Sequence, residues 1–309
     1  MVARQAALVR FDSLNVVVFG LGALISLSFG ISDFLSKGVT RKIGAYRTTV
    51  YVLAIGGVAT LLPGFILRSS FDFSLLSVSL VLFIAVSMYV SNLSLYKAYS
   101  KGMLSITSPI ANSYPAFSAV LSVLLIGASF SLGSGAALLV VVIGITLVST
   151  NISSLRRSVF GPGKGPAPGV GWAIVAMIFF GAGWTAFGFA TETFGFLLPA
   201  IAIRLGAAGL GLGLAPLLKE DVKPVFGGTL PKLCVMSALE AAGAILFSLG
   251  AIISAAPDAV PILATFSGMS AAFTVLLAVA FLREKLDWNH VAGIAMLLGG
   301  VLTLLYLGG

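Results

Sequence analysis

Charge is scarce in this chain. Its 309 residues include 18 lysines and arginines and 10 aspartates and glutamates, 9% in all. A soluble domain carries about 25% charged residues, so this one cannot cover itself with a solvated surface. A single cysteine, Cys234, excludes an internal disulfide and a CxxC redox pair. A single histidine, His290, argues against a His-rich metal site or a Ser-His-Asp triad, so no metal, cofactor or catalytic residue is expected. The acids are scattered, whereas an enzyme acting on a lipid-linked substrate needs a cluster of His, Asp, Glu or Arg at one membrane face. No ATP-binding motif is present. No cleavable signal pattern opens the chain, and the first 13 residues read as a short polar lead. The net charge of +8 sits in short links, not on a patch, so nucleic acid is not an expected partner.

Apolar residues are abundant instead: 59% of the chain, with a mean hydropathy of +1.11. Ten segments are apolar all round and long enough to cross a hydrocarbon core of about 30 Å as helices. They lie near 14–37, 45–67, 74–98, 103–126, 132–151, 170–191, 196–218, 230–254, 258–282 and 288–307. Short links predict that consecutive helices are antiparallel neighbours. The exception is the fifth link, 153–169, where the run Gly161–Gly169 holds only Gly, Pro, Lys and Ala and reads as a flexible tether. It separates a first unit, 1–152, from a second, 170–309.

The two units repeat one another. Shifted by 152, Ser105–Leu125 matches Pro257–Leu277 at seven of 21 positions, among them Pro109/Pro261 and Ser118/Ser270. Tyr114/Phe266 is a conservative pair. Phe29-Gly30 matches Phe180-Gly181 and Gly44 matches Gly195 at offset 151, and Gly144 matches Gly300 at 156. Five helices per copy is an odd number, so the second copy enters from the opposite side. The predicted fold is an all-α integral membrane protein of ten transmembrane helices in two inverted five-helix repeats. Inverted repeats characterise secondary transporters, whose substrate sits near the midplane where the repeats meet.

The closing stretch, PILATFSGMSAAFTVLLAVAFLREKLDWNHVAGIAMLLGGVLTLLY, resembles the end of a repeat of the EamA family, in the drug/metabolite transporter superfamily. Pro261, Glu284, Gly293, Gly299 and Gly300 fit the family's proline-bearing ninth helix, its Glu before the last loop and its glycine-rich tenth helix. Ser267 stands where the first copy has Pro115, and Arg283 stands where the family has Gly. The first copy has no Glu in its matching loop, Gly127–Leu132. The resemblance implies a multi-pass protein of the cell membrane that exports amino acids or similar metabolites. Related families carry nucleotide sugars and sugar phosphates. Such anions want several deep basic residues, and only Arg204 qualifies.

Candidate functional residues are polar or aromatic groups deep in apolar spans. Tyr89, Asn92, Tyr96 and Tyr99 share one face of the third helix by their spacing. The first three read as a cavity wall or as interhelical polar packing, and Tyr99 as interfacial. Ser237, Glu240, Ala244 and Ser248 share a face of the eighth. A charge at the depth of Glu240 costs roughly 2.5–3.5 kcal/mol to insert and must be paired, protonated or facing water. Glu240 therefore reads either as a substrate or proton site or as a static bridge to Arg204. Asp33 reads as an interfacial ion pair with Lys37 four residues later. Trp184, far from both helix ends, reads as a cavity ring. Pro109, Pro115 and Pro261, with Gly268, read as gate hinges in the fourth and ninth helices, where Tyr114 and Phe266 would close the pathway from opposite sides. Gly135, Gly144, Gly293, Gly299 and Gly300 read as close-packing residues of the fifth and tenth helices, and Asn289 and His290 as interfacial.

The expected partners are a small-molecule substrate and the lipid bilayer, with protons if Glu240 titrates, and the protein is expected to be a monomer. Thirteen Lys/Arg fall in odd-numbered links against Arg4, Arg10 and Arg68 on the other side. The positive-inside rule then places both termini outside. The family resemblance implies the reverse.

Overall fold

Large apolar side chains point outward and small hydroxyls point inward. Leu82, Phe83, Leu124, Leu139, Leu217 and Phe281 are exposed, while Ser26, Ser32, Thr49, Ser91, Ser118, Thr191, Ser237 and Ser248 are buried. That is the reverse of a water-soluble domain and suits a bundle solvated by lipid, where small residues let helices approach. Several buried hydroxyls are satisfied locally: Thr49, Thr185, Thr191 and Ser237 each donate to the carbonyl four residues back, at 2.7–2.9 Å. The structure is a computed structural model that describes residues 2–66, 74–102, 107, 110–127, 131–149, 168–194, 197–254, 259–282 and 288–307.

The helices are α1 (Val2–Ile43), α2 (Ala45–Ile66), α3 (Leu75–Lys101), α4 (Tyr114–Leu121), α5 (Leu132–Ser149), α6 (Val170–Phe194), α7 (Leu197–Leu218), α8 (Thr229–Ser254), α9 (Ala259–Gly268), α10 (Ser270–Leu282) and α11 (Trp288–Leu307). Among the described residues there is no strand. α3, α6, α7 and α8 each contain 20–27 residues that are long and apolar enough to span a bilayer on their own.

Three differences from the sequence reading have physical causes. α1 begins at Val2, not near 14, because nothing in the polar lead breaks a helix before Gly20. The fourth segment is interrupted: Ile110–Asn112 is helical, Ser113 turns, and α4 starts at Tyr114 and closes in a π-helical turn, Ser122–Ile126. The ninth is two helices joined by Met269, whose N–H donates to the Thr265 and Phe266 carbonyls at 3.2 and 3.0 Å. Pro168 and Gly169 apart, the linker 153–169 lies outside the described residues, as do Pro109 and Glu284.

Consecutive helices are not the main neighbours. The most extensive contacts all join one half to the other: α5 with α11, α3 with α6, α1 with α8, and α2 with α7, then α1 with α10, α2 with α8, α3 with α7 and α4 with α6. Exchanging the halves maps this set onto itself, α3–α6 becoming α8–α1 and α4–α6 becoming α10–α1. The contact map therefore carries the pseudo-two-fold relation of an inverted repeat. Short links reverse the chain direction but do not decide which faces pack. The repeated Phe-Gly pair marks one such crossing in each half. A Cβ on Gly30 would meet Phe273 Cβ at 2.5 Å and the Ser270 carbonyl at 2.8 Å, and a Cβ on Gly181 would meet the Phe117 ring at 2.7 Å and the Tyr114 carbonyl at 3.2 Å. Only glycine permits these approaches of α1 to α10 and of α6 to α4.

One end of the bundle gathers the basic links. Arg47 Nη2 donates to the Lys223 and Pro224 carbonyls at 2.5 and 3.3 Å, tying the start of α2 to the link before α8. The Lys97 and Lys101 ammonium groups lie 4.7 and 5.7 Å from the Trp172 ring centroid, tying the end of α3 to the start of α6.

Candidate functional site

Two adjoining cavities lie where the halves meet. The first is lined by Phe29 and Asp33 of α1, Asn92 and Leu95 of α3, Ala111 and Asn112, Tyr114 of α4, Phe180 and Trp184 of α6, Glu240 of α8, and Ser267 and Ser270 of the α9–α10 pair. The second shares Asn92, Phe180, Trp184 and Glu240 and adds Val52, Leu53, Met88, Ile203, Arg204 and Ala244. Both repeats contribute to each wall, so rearranging one half against the other changes the cavity's shape.

The aromatic wall is continuous. The Trp184 ring centroid lies 5.7 Å from that of Phe29, 5.4 Å from Phe187 and 4.6 Å from Phe247, while Tyr114 and Phe180 are 5.6 Å apart. Phe187 and Phe247 are fully buried behind Trp184 and fix its orientation.

The charged groups are arranged unequally. Arg204 Nη2 donates to the Glu240 backbone carbonyl and lies 3.9 Å from Glu240 Oε2, so the pair is held by a hydrogen bond to backbone and a looser ion contact. Ser32 Oγ, one turn from Phe29 on α1, donates to Glu240 Oε1 at 3.0 Å. Asp33 faces the first cavity and is not paired with Lys37. Among the described residues the ion pairs are Arg204–Glu240 and the exposed Lys223–Asp221. An i,i+4 spacing makes such a pair available but does not fix where either side chain points.

Of the residues singled out in the sequence, Asn92, Tyr114, Trp184, Glu240 and Asp33 meet at the first cavity, and Arg204 lines the second. Asn92 Nδ2 donates to its own helix, to the Met88 carbonyl at 2.8 Å. Tyr89 and Tyr96 do not line either cavity. Tyr89 lies edge-on to Tyr46, centroids 6.4 Å apart, and Tyr96 is buried among Leu95, Ala98, Ala111 and Ala176. Phe266 packs on Gly22 of α1, away from the cavity, and its carbonyl accepts from Ser26 Oγ. Across the halves at this level Tyr114 Oη also meets Ser267 Oγ.

Pro115 is buried in the first turn of α4, and Pro261 lies in the first turn of α9, positions where a helix tolerates the missing N–H. The breaks themselves fall at Ser113 and at Met269, just after Gly268. In α5 and α11, Gly300 is in close contact with Val141 and Ala137, whereas Gly135 and Gly299 face open space. His290 and Asn289 are buried, and Asn289 Nδ2 donates to the Leu147 carbonyl at 3.0 Å, so Asn289 serves the α5–α11 contact.

Ser32, Asn112, Ser267, Phe29 and Phe180 were not among the candidates. The two phenylalanines carried a signal in their identity across the repeat. The serines and Asn112 carried none, since small polar residues are common throughout the spans.

Comparison with known proteins agrees with this architecture. A protein solved by crystallography is similar over 96% of this chain and 97% of its own, at 16% identity and a TM-score of 0.68, a likeness of fold alone. No curated protein matches the sequence. The model of the EamA-like transporter family matches residues 17–150 and 167–306, one match to each repeat. The chain is a multi-pass membrane protein and belongs to the EamA-like transporter family.

Proposed function

We propose that this protein is a secondary transporter that exports a small amphipathic metabolite, an amino acid or a relative of one, across the cell membrane by alternating access. The observation that carries this reading is the cavity between the halves. It combines aromatic wall from Phe29, Phe180, Trp184 and Tyr114 with a few polar groups, Asn92, Asp33 and Glu240, as sites for small amphipathic solutes do. Rocking the repeats about their pseudo-two-fold axis would open it to each side in turn. The bolt between Tyr114 and Ser267 joins α4 to α9, and breaking it is one step of that exchange. Energy comes from an ion gradient, exchange or the solute's own gradient.

The test is counterflow in proteoliposomes loaded with each member of a panel of amino acids and their amines, with and without an imposed pH gradient. Accumulation of labelled solute against its preloaded form, abolished by Trp184→Ala, is the expected result. No counterflow with any amino acid or amine sinks the reading.

A further inference from the structure

We infer that the cavity recognises its solute through a protonated amine, with Asp33 as the counter-ion. This rests on the transporter reading and narrows its substrate class to organic ammonium ions.

The charge balance around the cavity leads to this. Asp33 and Glu240 both line the first cavity, and among the described residues no lysine or arginine lines it. Arg204 is committed elsewhere. Its guanidinium serves the carbonyl and carboxylate of Glu240, and it backs onto Gly56, where a Cβ would meet Nη1 at 2.8 Å. Glu240 is thus answered by Arg204 and by Ser32, while Asp33 meets no cation among the described residues. A carboxylate taken out of water needs a proton or a cation, and a solute ammonium supplies one. The rings of Phe29, Phe180 and Trp184 stand around the same space, and the face of an aromatic ring attracts an ammonium. In the first cavity a solute carboxylate would meet two acids of its own sign, the nearest base being Arg204 in the adjoining cavity, already bonded to Glu240. The cavity therefore favours an amine over a zwitterion, and a zwitterion over an acid.

Three ligands with one ring system separate these cases: tryptamine, tryptophan and indole-3-propionate. Calorimetric titration of the purified full-length protein in micelles is expected to give tryptamine at least tenfold tighter than tryptophan, with no binding of indole-3-propionate. Asp33→Asn is expected to weaken tryptamine at least tenfold, and Asp33→Glu to retain most of it. Tryptophan or indole-3-propionate binding as tightly as tryptamine overturns the inference, as does absence of tryptamine binding or an unchanged affinity in Asp33→Asn. If Asp33→Asn does not fold, the wild-type ranking of the three ligands decides. The two readings fail separately. Tryptamine binding without counterflow removes transport and keeps the amine site, whereas counterflow of tryptophan without preference for tryptamine does the opposite.

Discussion

At the scale of single residues, the question is what Glu240 does. Removing Arg204 leaves a partly buried carboxylate with only Ser32 to answer it, and the cost of about 3–5 kcal/mol for breaking a fully buried pair from one side is an upper bound here. Arg204→Gln is therefore expected to lower the melting temperature in micelles sharply, and Arg204→Gln with Glu240→Gln to recover most of the loss. If that double variant also transports at the wild-type rate, Glu240 is a structural partner of Arg204 and not a binding group. Ser32→Ala removes a hydrogen bond to a charged acceptor, worth about 1.5–3 kcal/mol, and should lower stability while leaving the cavity's rings in place, measured by the same melt. The Arg204–Glu240 pair was legible in the sequence because two charges deep in apolar spans have few other ways to be satisfied. Asp33 was not, because its spacing from Lys37 fitted an ordinary surface pair and spacing along a helix says nothing about which way that face turns. Tyr89 and Tyr96 line neither cavity. They share a face with Asn92, but a helix face is wide enough for one side chain to reach a cavity while its neighbours pack against helices on either side.

At the scale of helices, close approach at glycine sets the geometry. Gly30→Val must push against the Ser270 carbonyl and the Phe273 Cβ, neither of which can swing aside, so a loss of about 1–3 kcal/mol or more is expected. Neighbouring glycines of α11 provide an internal control: Gly300→Ala meets Val141 and the Ala137 carbonyl, while Gly299→Ala meets nothing. Thermal melts should separate these two alanine variants, and equal melting temperatures would rule out a close α5–α11 contact at Gly300. The sequence showed the Phe-Gly pair by its repetition, and the structure supplies the reason in the matching crossings of α1 with α10 and α6 with α4. The bends were less legible. Proline marked the right helices, yet the breaks fall at Ser113 and Met269, because a proline in a first turn begins a helix and does not kink one. Pro115→Ala restores an N–H that could reach the Ala111 carbonyl and lets α4 run back through Ser113. The variant is expected to insert normally and transport more slowly in counterflow, and a wild-type rate would remove the break from the mechanism.

For the whole molecule, the ten-span plan was readable from the sequence except at the start of α1 and at the breaks in the fourth and ninth segments, since an apolar run of fixed length has one stable form in a bilayer. Packing partners were not, because nothing in a short link says which face of a helix will be covered. The basic links gather at one end, and the positive-inside rule predicts that this end faces the cytoplasm, the reverse of what the family resemblance implies. Glu220→Cys, in the exposed link before α8 and in a Cys234→Ser background, is therefore expected to resist an impermeant maleimide in intact cells and to react once they are opened; labelling of intact cells reverses the orientation. The exchange of partners between halves has a consequence for synthesis. When α1, α2 and α3 leave the ribosome, their main neighbours, α6, α7, α8 and α10, have not yet been made. The early helices must wait in the lipid, singly or beside the insertion machinery, until the second repeat arrives to slot between them. The nascent protein thus has no half-built resting form, and two separately expressed repeats should survive proteolysis together while each alone is cleared.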